Sequence, residues 1–244
     1  MQTIGIIIPC YNEAKRLDTN YLISFLKDNQ HIKVLLVNDG STDNTIEIIE
    51  KIAAELPLQI DVLNCIQNGG KAEAVRLGML HLSQHNELEW VGYFDADFST
   101  QLEEINYFFE FIPKDKTFDM MIGSRINRLG SKIVRNEFRH YLSRIIGTLT
   151  SRILKLPVYD TQCGAKIINK KHIDLLFNKP FVSSWMFDVE LFARFINFYG
   201  HEKCLQQIIE VPLRQWIEKG DSKISWSYTF KLPLELLKIR KTYF

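Results

Sequence analysis

The first hundred residues alternate between short apolar runs and longer segments of mixed character. "TIGIIIPC" (3–10), "IKVLLVND" (32–39), "QIDVLNC" (59–65) and "WVGYFD" (90–95) are β-branched or aromatic and read as buried strands. Between them, "TDNTIEIIEKIAAEL" places Ile46, Ile49, Ile52 and Ala53 on one helical face, with Ser41 or Thr42 as the expected N-cap. "GGKAEAVRLGMLHL" opens at glycines and continues as a helix. Strands alternating with helices predict an α/β fold in a single domain, a Rossmann-like, mostly parallel sheet flanked by helices.

The second half follows another pattern. "NEFRHYLSRIIGTLTSRILKL" carries an apolar stripe of Leu142, Ile145, Ile146, Leu149, Ile153 and Leu156, with Arg144, Arg152 and Lys155 off it. Such spacing predicts an amphipathic helix with a cationic polar side, able either to lie on a lipid surface or to cover the sheet. "SSWMFDVELFARFINFYG" is heavily apolar and is expected to pack inward, whereas "YTFKLPLELLKIRKTYF" combines aromatics with bases.

Composition changes this picture in two places. No run approaches the ~18 consecutive apolar residues needed to cross a bilayer, and "MQTIGIIIPCYNE" lacks the basic region and cleavage site of a secretion signal. A cytoplasmic location is expected, and the widely separated Cys10, Cys65, Cys163 and Cys204 read as small buried hydrophobes in a reducing compartment. The net charge of +1 hides an asymmetry. Eight bases between Arg125 and Lys155 face one acid, Glu137, giving +7 locally and leaving −6 for the remainder. An anionic partner is implied for the middle of the chain, phosphate or lipid surface rather than nucleic acid.

Candidate chemistry gathers where the strands end, in "PCYNE", "NDGSTD", "NGGKAEA" and "DADFS". In a parallel sheet these four exits open on one edge, where open α/β sheets bind ligands. Asp95 and Asp97 suit a hard divalent ion, Mg²⁺ or Mn²⁺, completed by oxygens of a substrate diphosphate, whose departing charge the ion would neutralise. The plainer reading is a solvated turn with Asp97 capping the next helix. Asp39 can accept from a nucleobase or ribose, or be an Asx-turn residue. Lys71 can meet a phosphate or base, or be a surface lysine. Tyr11 can pack on a flat ring, and Pro9 fixes the exit of the first strand. No G-x-G-x-x-G follows that strand, which excludes a dinucleotide oxidoreductase.

"IIIPCYNEAKRL", "LLVNDGSTDNT", "NGGKAEAVRLGM" and "YFDADFST", in this order, resemble family 2 glycosyltransferases of the GT-A fold. "IGSR", "VYDTQCGAKII", "FDVELF" and "GDSKIS" are similar to the polyprenyl-phosphate branch, in particular its dolichyl-phosphate glucosyltransferases. The resemblance implies a metal-dependent, inverting transfer of a hexose from a nucleotide sugar, UDP-glucose, to a polyprenyl phosphate. It also implies a nucleotide-sugar-binding half over 1–124 and an acceptor half over 125–244. Pro9, Tyr11, Glu13, Asp39 and Lys71 would bind the nucleoside, and Asp95 and Asp97 the metal and diphosphate. Arg125 and Arg139 would face the acceptor phosphate, and Lys223 would close over the donor diphosphate. Asn38 and Ser99 depart from the family pattern, the latter away from mannosyl members.

A membrane surface is the expected partner, from its cytoplasmic face, and a membrane-protein partner is compatible. Two other readings stand beside this one. A sugar-hydroxyl acceptor would require a base, Asp188 or Glu190. A non-catalytic nucleotide-binding subunit would not need Asp95 and Asp97.

Overall fold

The computed structural model describes residues 2–135, 137–219 and 231–244, with the side chains of 137–140 and 142 outside the description. The chain forms two compact units, Met1–Ile105 with Gly164–Pro180, and Asn106–Cys163 with Phe181–Phe244.

In the first unit, strands β1 (Ile4–Cys10), β2 (Ile32–Asp39), β3 (Ile60–Cys65) and β4 (Trp90–Phe94) alternate with helices α1 (Thr19–Asp28), α2 (Thr45–Glu55) and α3 (Lys71–Ser83). β1 pairs in parallel with both β2 and β4, and β2 with β3. The order is therefore β3-β2-β1-β4, and β7 (Ala165–Asn169) adds antiparallel to β4. The expected mostly parallel sheet is present. Ile6, Ile7, Ile8, Leu35, Leu36 and Val37 are fully buried in succession, as strands covered on both faces must be.

Helix starts are set by local polar contacts. Asp18 caps α1 by accepting from the Tyr21 N–H at 3.0 Å. The cap expected at Ser41 or Thr42 is not used: α2 begins at Thr45, where the Asp43 carboxylate takes the Thr45 N–H at 3.0 Å. Ser41 and Thr42 instead bond Asn12, across the loops that follow β1 and β2.

The second unit pairs β5 (Met120–Ser124) with β8 (Ile208–Pro212) and β6 (Lys132–Val134) with β9 (Gln215–Ile217), all in parallel. Its helices are α5 (Glu137–Leu154), α7 (Phe187–Gln207) and α8 (Leu232–Tyr243), while the short α6 (Ile173–Phe177) belongs to the first unit. α7 packs inward as expected, with every residue from Phe187 to Ile196 buried. The stripe expected on α5 splits. Leu156, just past the helix, is buried, but Ile145 is 60% and Leu149 42% exposed, in line with an exposed Tyr141. Among the described residues no helix is long and apolar enough to cross a membrane. Cys10, Cys163 and Cys204 are buried as expected, whereas Cys65, at the end of β3, is only half-buried.

Candidate active site

Parallel pairing brings the carboxyl ends of β1, β2, β3 and β4 to one edge, and the loops there hold one another in place. The buried Asp39 ends β2. Its Oδ1 accepts the Gly69 N–H at 2.8 Å, and its Oδ2 accepts Gly70 N–H at 2.9 Å and Asn68 Nδ2 at 3.1 Å. Burial holds its pKa above the usual value, against these amides, which lower it. Asp39 thereby fixes the loop that launches α3 and Lys71. Gly40 must be glycine here, since its φ is +62° and a Cβ would lie 2.5 Å from the Asn68 nitrogen.

The exit of β1 is tied to the loop after β2. Asn12, at φ 51°, donates its N–H to Ser41 Oγ at 3.0 Å and accepts from the Thr42 N–H at 2.8 Å. Glu13 N–H donates to Thr45 Oγ1 at 2.8 Å. Pro9 sits inside β1 opposite Val37, and Tyr11 stands 36% exposed just beyond it. Glu13 is buried, its Oε2 3.5 Å from the Arg16 guanidinium.

Asp95 and Asp97 follow β4, and each meets a cation. Lys71 Nζ lies 2.5 Å from Asp95 Oδ1, and Arg16 Nη2 lies 3.4 Å from Asp97 Oδ2. The next helix, α4 (Glu104–Phe111), starts seven residues after Asp97, so Asp97 does not cap it. Its Oδ1 instead accepts the Ser99 N–H at 2.9 Å, the local turn of the plainer reading. Phe98 turns the chain at φ 50°, buried against Tyr21 with ring centroids 5.1 Å apart. Arg16 was not legible as a site residue; its only signal is the position three residues beyond Glu13.

The donor set fits a divalent cation of the Mg²⁺ or Mn²⁺ kind. Glu13, Asp95 and Asp97 share Arg16 and Lys71, three formal negative charges against two positive. One added cation reverses that deficit. Among the described residues no group of three or more His, Cys, Asp or Glu could hold a metal by itself. Two carboxylates completed by substrate oxygens is the habit of Mg²⁺, not of an all-protein cage.

Arg125 belongs to the second unit. It follows β5 and is clamped by Asp160, with Nε 2.7 Å from Oδ2 and Nη2 2.8 Å from Oδ1. Burial raises the Asp160 pKa, but the Arg125 charge and hydrogen bonds win and bring it to about 2. The Arg125 and Arg135 guanidinium carbons both lie over the Trp216 ring, 5.5 and 5.9 Å from its centroid. Burial and the Arg125 charge lower the Arg135 pKa. Arg125 and Arg135 thus gather beside one indole, with the Asp160 and Glu218 carboxylates acting on Arg135. Arg139 lies on α5, its side chain outside the description, and Lys223 lies outside the described residues. Asp160, inside "VYDTQCGAKII", and Trp216, outside any quoted motif, were not legible as site residues.

Glu190 is not placed to act as a base. Oε1 accepts from Arg194 Nη2 at 2.8 Å, Arg194 Nε at 3.1 Å and Tyr243 Oη at 2.7 Å, while Oε2 accepts the Val182 and Ser183 N–H groups at 2.9 and 3.1 Å. With five donors its lone pairs are committed. It holds α8 and the segment before α7 in place. Asp188 is buried at the start of the same helix.

Residues 5–177 match the profile of Glycosyl transferase family 2. A dolichyl-phosphate beta-glucosyltransferase of Trichomonas vaginalis is 31% identical over 96% of this chain and 69% of its own length. The enzyme of that name from Saccharomyces cerevisiae is 31% identical over 98% and 75%, and the human one 26% identical over the same shares. Among solved structures, glucosyl-3-phosphoglycerate synthase from Mycobacterium tuberculosis, crystallised with Mn²⁺ and UDP-glucose, superposes with a TM-score of 0.69. It is 16% identical, over 98% of this chain and 79% of that one, a likeness of fold. The chain belongs to glycosyl transferase family 2 and is a glycosyltransferase with a GT-A fold, akin to the dolichyl-phosphate beta-glucosyltransferases.

Proposed function

We propose that this enzyme transfers glucose from UDP-glucose to a polyprenyl phosphate, and that Asp95 and Asp97 would hold a Mg²⁺ or Mn²⁺ ion to neutralise the departing diphosphate. The observation that carries the reading is the flanking of these two carboxylates by Lys71 and Arg16 at the strand ends. Cations beside acids that themselves want a cation suit a metal–diphosphate pair, whose negative oxygens the ammonium and guanidinium can take. The names of the relatives and the Mn²⁺–UDP-glucose complex of the structural neighbour support the same acceptor, donor and metal.

The residues divide the work between them. Tyr11 packs on the base, Pro9 and Glu13 shape the floor beside it, and Asp39 acts mainly by holding the glycine loop under the nucleoside. Lys71 binds the diphosphate. The metal, when bound, supplies Lewis-acid stabilisation of the departing nucleoside diphosphate. Lys223 is assigned to that diphosphate, and Arg125 and Arg139 to the acceptor phosphate, with Asp160 setting the plane of the Arg125 fork. A phosphate monoester is largely dianionic near neutral pH, so no residue need deprotonate it. A single displacement would invert the anomeric carbon. The commitment of Glu190 to five donors supports this reading over a hydroxyl acceptor.

A polyprenyl chain requires contact with a bilayer, and two helices of the second unit present surfaces suited to it. α5 exposes Tyr141, Ile145 and Leu149 at four-residue steps, with Arg152 nearby. α8 buries Leu236 and Ile239 while exposing Leu234 and Leu237 alongside Lys238, Arg240 and Lys241. Apolar groups with bases around them suit an anionic leaflet, at ~1 kcal/mol per base. Four free cysteines agree with the reducing cytoplasmic side.

The test is incubation with labelled nucleotide sugars and a short polyprenyl phosphate. Label from UDP-glucose is expected in the organic phase only with a divalent cation. Transfer to soluble glycans alone would favour the hydroxyl acceptor, and hydrolysis or no turnover would favour a binding subunit.

A further inference from the structure

We infer that Gly164 is a positioning residue for the Asp95 carboxylate. β4 and β7 pair antiparallel with Phe94 opposite Ala165 and Tyr93 opposite Lys166. Continuing that register by one step sets Asp95 opposite Gly164, and directly opposed residues of an antiparallel pair send their side chains to the same face. The Asp95 side chain accordingly lies flat over the Gly164 backbone. A Cβ built on Gly164 would have Oδ1, Oδ2 and Cγ of Asp95 all within 2.6 Å. Real Cβ atoms do not tolerate such approaches. Gly164 is not among the positive-φ glycines, so it is space and not backbone conformation that demands glycine here.

Asp95 is therefore held from two sides. Lys71 Nζ fixes Oδ1 at 2.5 Å, and the bare Gly164 backbone forms the wall behind the carboxylate. A methyl group at 164 turns Asp95 out of this position, away from Lys71, without removing any polar group. This inference rests on the reading of Asp95 as a metal ligand, but its steric half can be tested separately.

The experiment compares wild type and Gly164→Ala by thermal melting, by crystallography, and by Mn²⁺ titration followed by electron paramagnetic resonance in the presence of UDP. The expected result is a near-normal melt, Asp95 rotated off Lys71 in the crystal, and Mn²⁺ affinity weakened 10–100-fold. Wild-type Mn²⁺ affinity in the variant, or Asp95 still against Lys71, would overturn the inference. If wild type itself takes up no Mn²⁺, the metal reading fails, and the position of Asp95 in the variant crystal still decides the role of Gly164. Should Gly164→Ala fail to fold, the double variant Gly164→Ala/Asp95→Ala decides. Recovery of folding confirms that the added methyl meets the carboxylate, and continued failure contradicts it.

Discussion

Lys71, the first residue of α3, places its ammonium 2.5 Å from the Asp95 carboxylate at the end of β4. Two strand exits far apart in sequence are joined by this pair, which ties the glycine loop held by Asp39 to the acidic couplet. Both side chains are more than a third exposed, 39% and 38%. A pair that open contributes under about 1 kcal/mol to stability, and the proposed function gives Lys71 to the donor diphosphate.

Replacing Lys71 by Met should therefore leave the melting temperature close to wild type. Calorimetry with UDP and Mg²⁺ should show affinity weakened about 10–100-fold, the value of a charge-assisted hydrogen bond of about 1.5–3 kcal/mol. A large drop in melting temperature with unchanged UDP affinity would assign Lys71 to the scaffold.

The Arg125–Asp160 pair is of the other kind, with side chains only 14% and 10% exposed. Asp160→Asn leaves a buried guanidinium without its counter-charge and should cost about 3–5 kcal/mol. The pH dependence has a definite sign. The folded pKa of about 2 lies below the ordinary 3.8, so the stabilisation is complete above about pH 4 and is lost as pH falls towards 2, on the order of 2 kcal/mol in all. Urea midpoints from pH 5 to pH 2.5 should fall for wild type and change less for Asp160→Asn.

Glu190→Gln separates scaffold from base. Loss of charge facing Arg194, 5% exposed, should destabilise the fold by about 3 kcal/mol. Activity measured well below the melting transition should keep the wild-type pH profile. A rate loss of about 10²–10⁴ with an unchanged melt would instead mark general-base catalysis.

Ile145→Glu with Leu149→Glu adds two charges to a surface already open to solvent, so melting should shift little. Flotation with vesicles containing anionic lipid should show binding by wild type and its loss in the double variant. Equal flotation of both would remove α5 from the membrane contact.

Much of the first unit was legible because fully buried parallel strands advertise themselves as unbroken apolar runs, such as Ile6 to Ile8 and Leu35 to Val37. Their exits carry Asp39, Lys71, Asp95 and Asp97 within a few residues of each run, so local sequence sufficed. Arg16 and Gly164 were hidden for one physical reason. Each acquires its role from a residue some 70–80 positions away, through strand pairing that no local pattern encodes. Asp160 belonged to a recognised motif, yet its bidentate grip on Arg125 depends on a contact 35 residues apart in sequence. On α5 the apolar spacing was read correctly, but spacing cannot tell a face turned to solvent from one turned to the sheet. Exposure of Ile145 and Leu149 turns that part of the stripe to solvent, while Leu156 is buried.

The most direct measurement is anomalous diffraction from crystals soaked with UDP-glucose and manganese. A strong peak bridging the pyrophosphate and the carboxylates of Asp95 and Asp97, absent in Asp97→Ala, is the predicted result. Ordered UDP-glucose with no anomalous density beside either aspartate would contradict a metal-held donor.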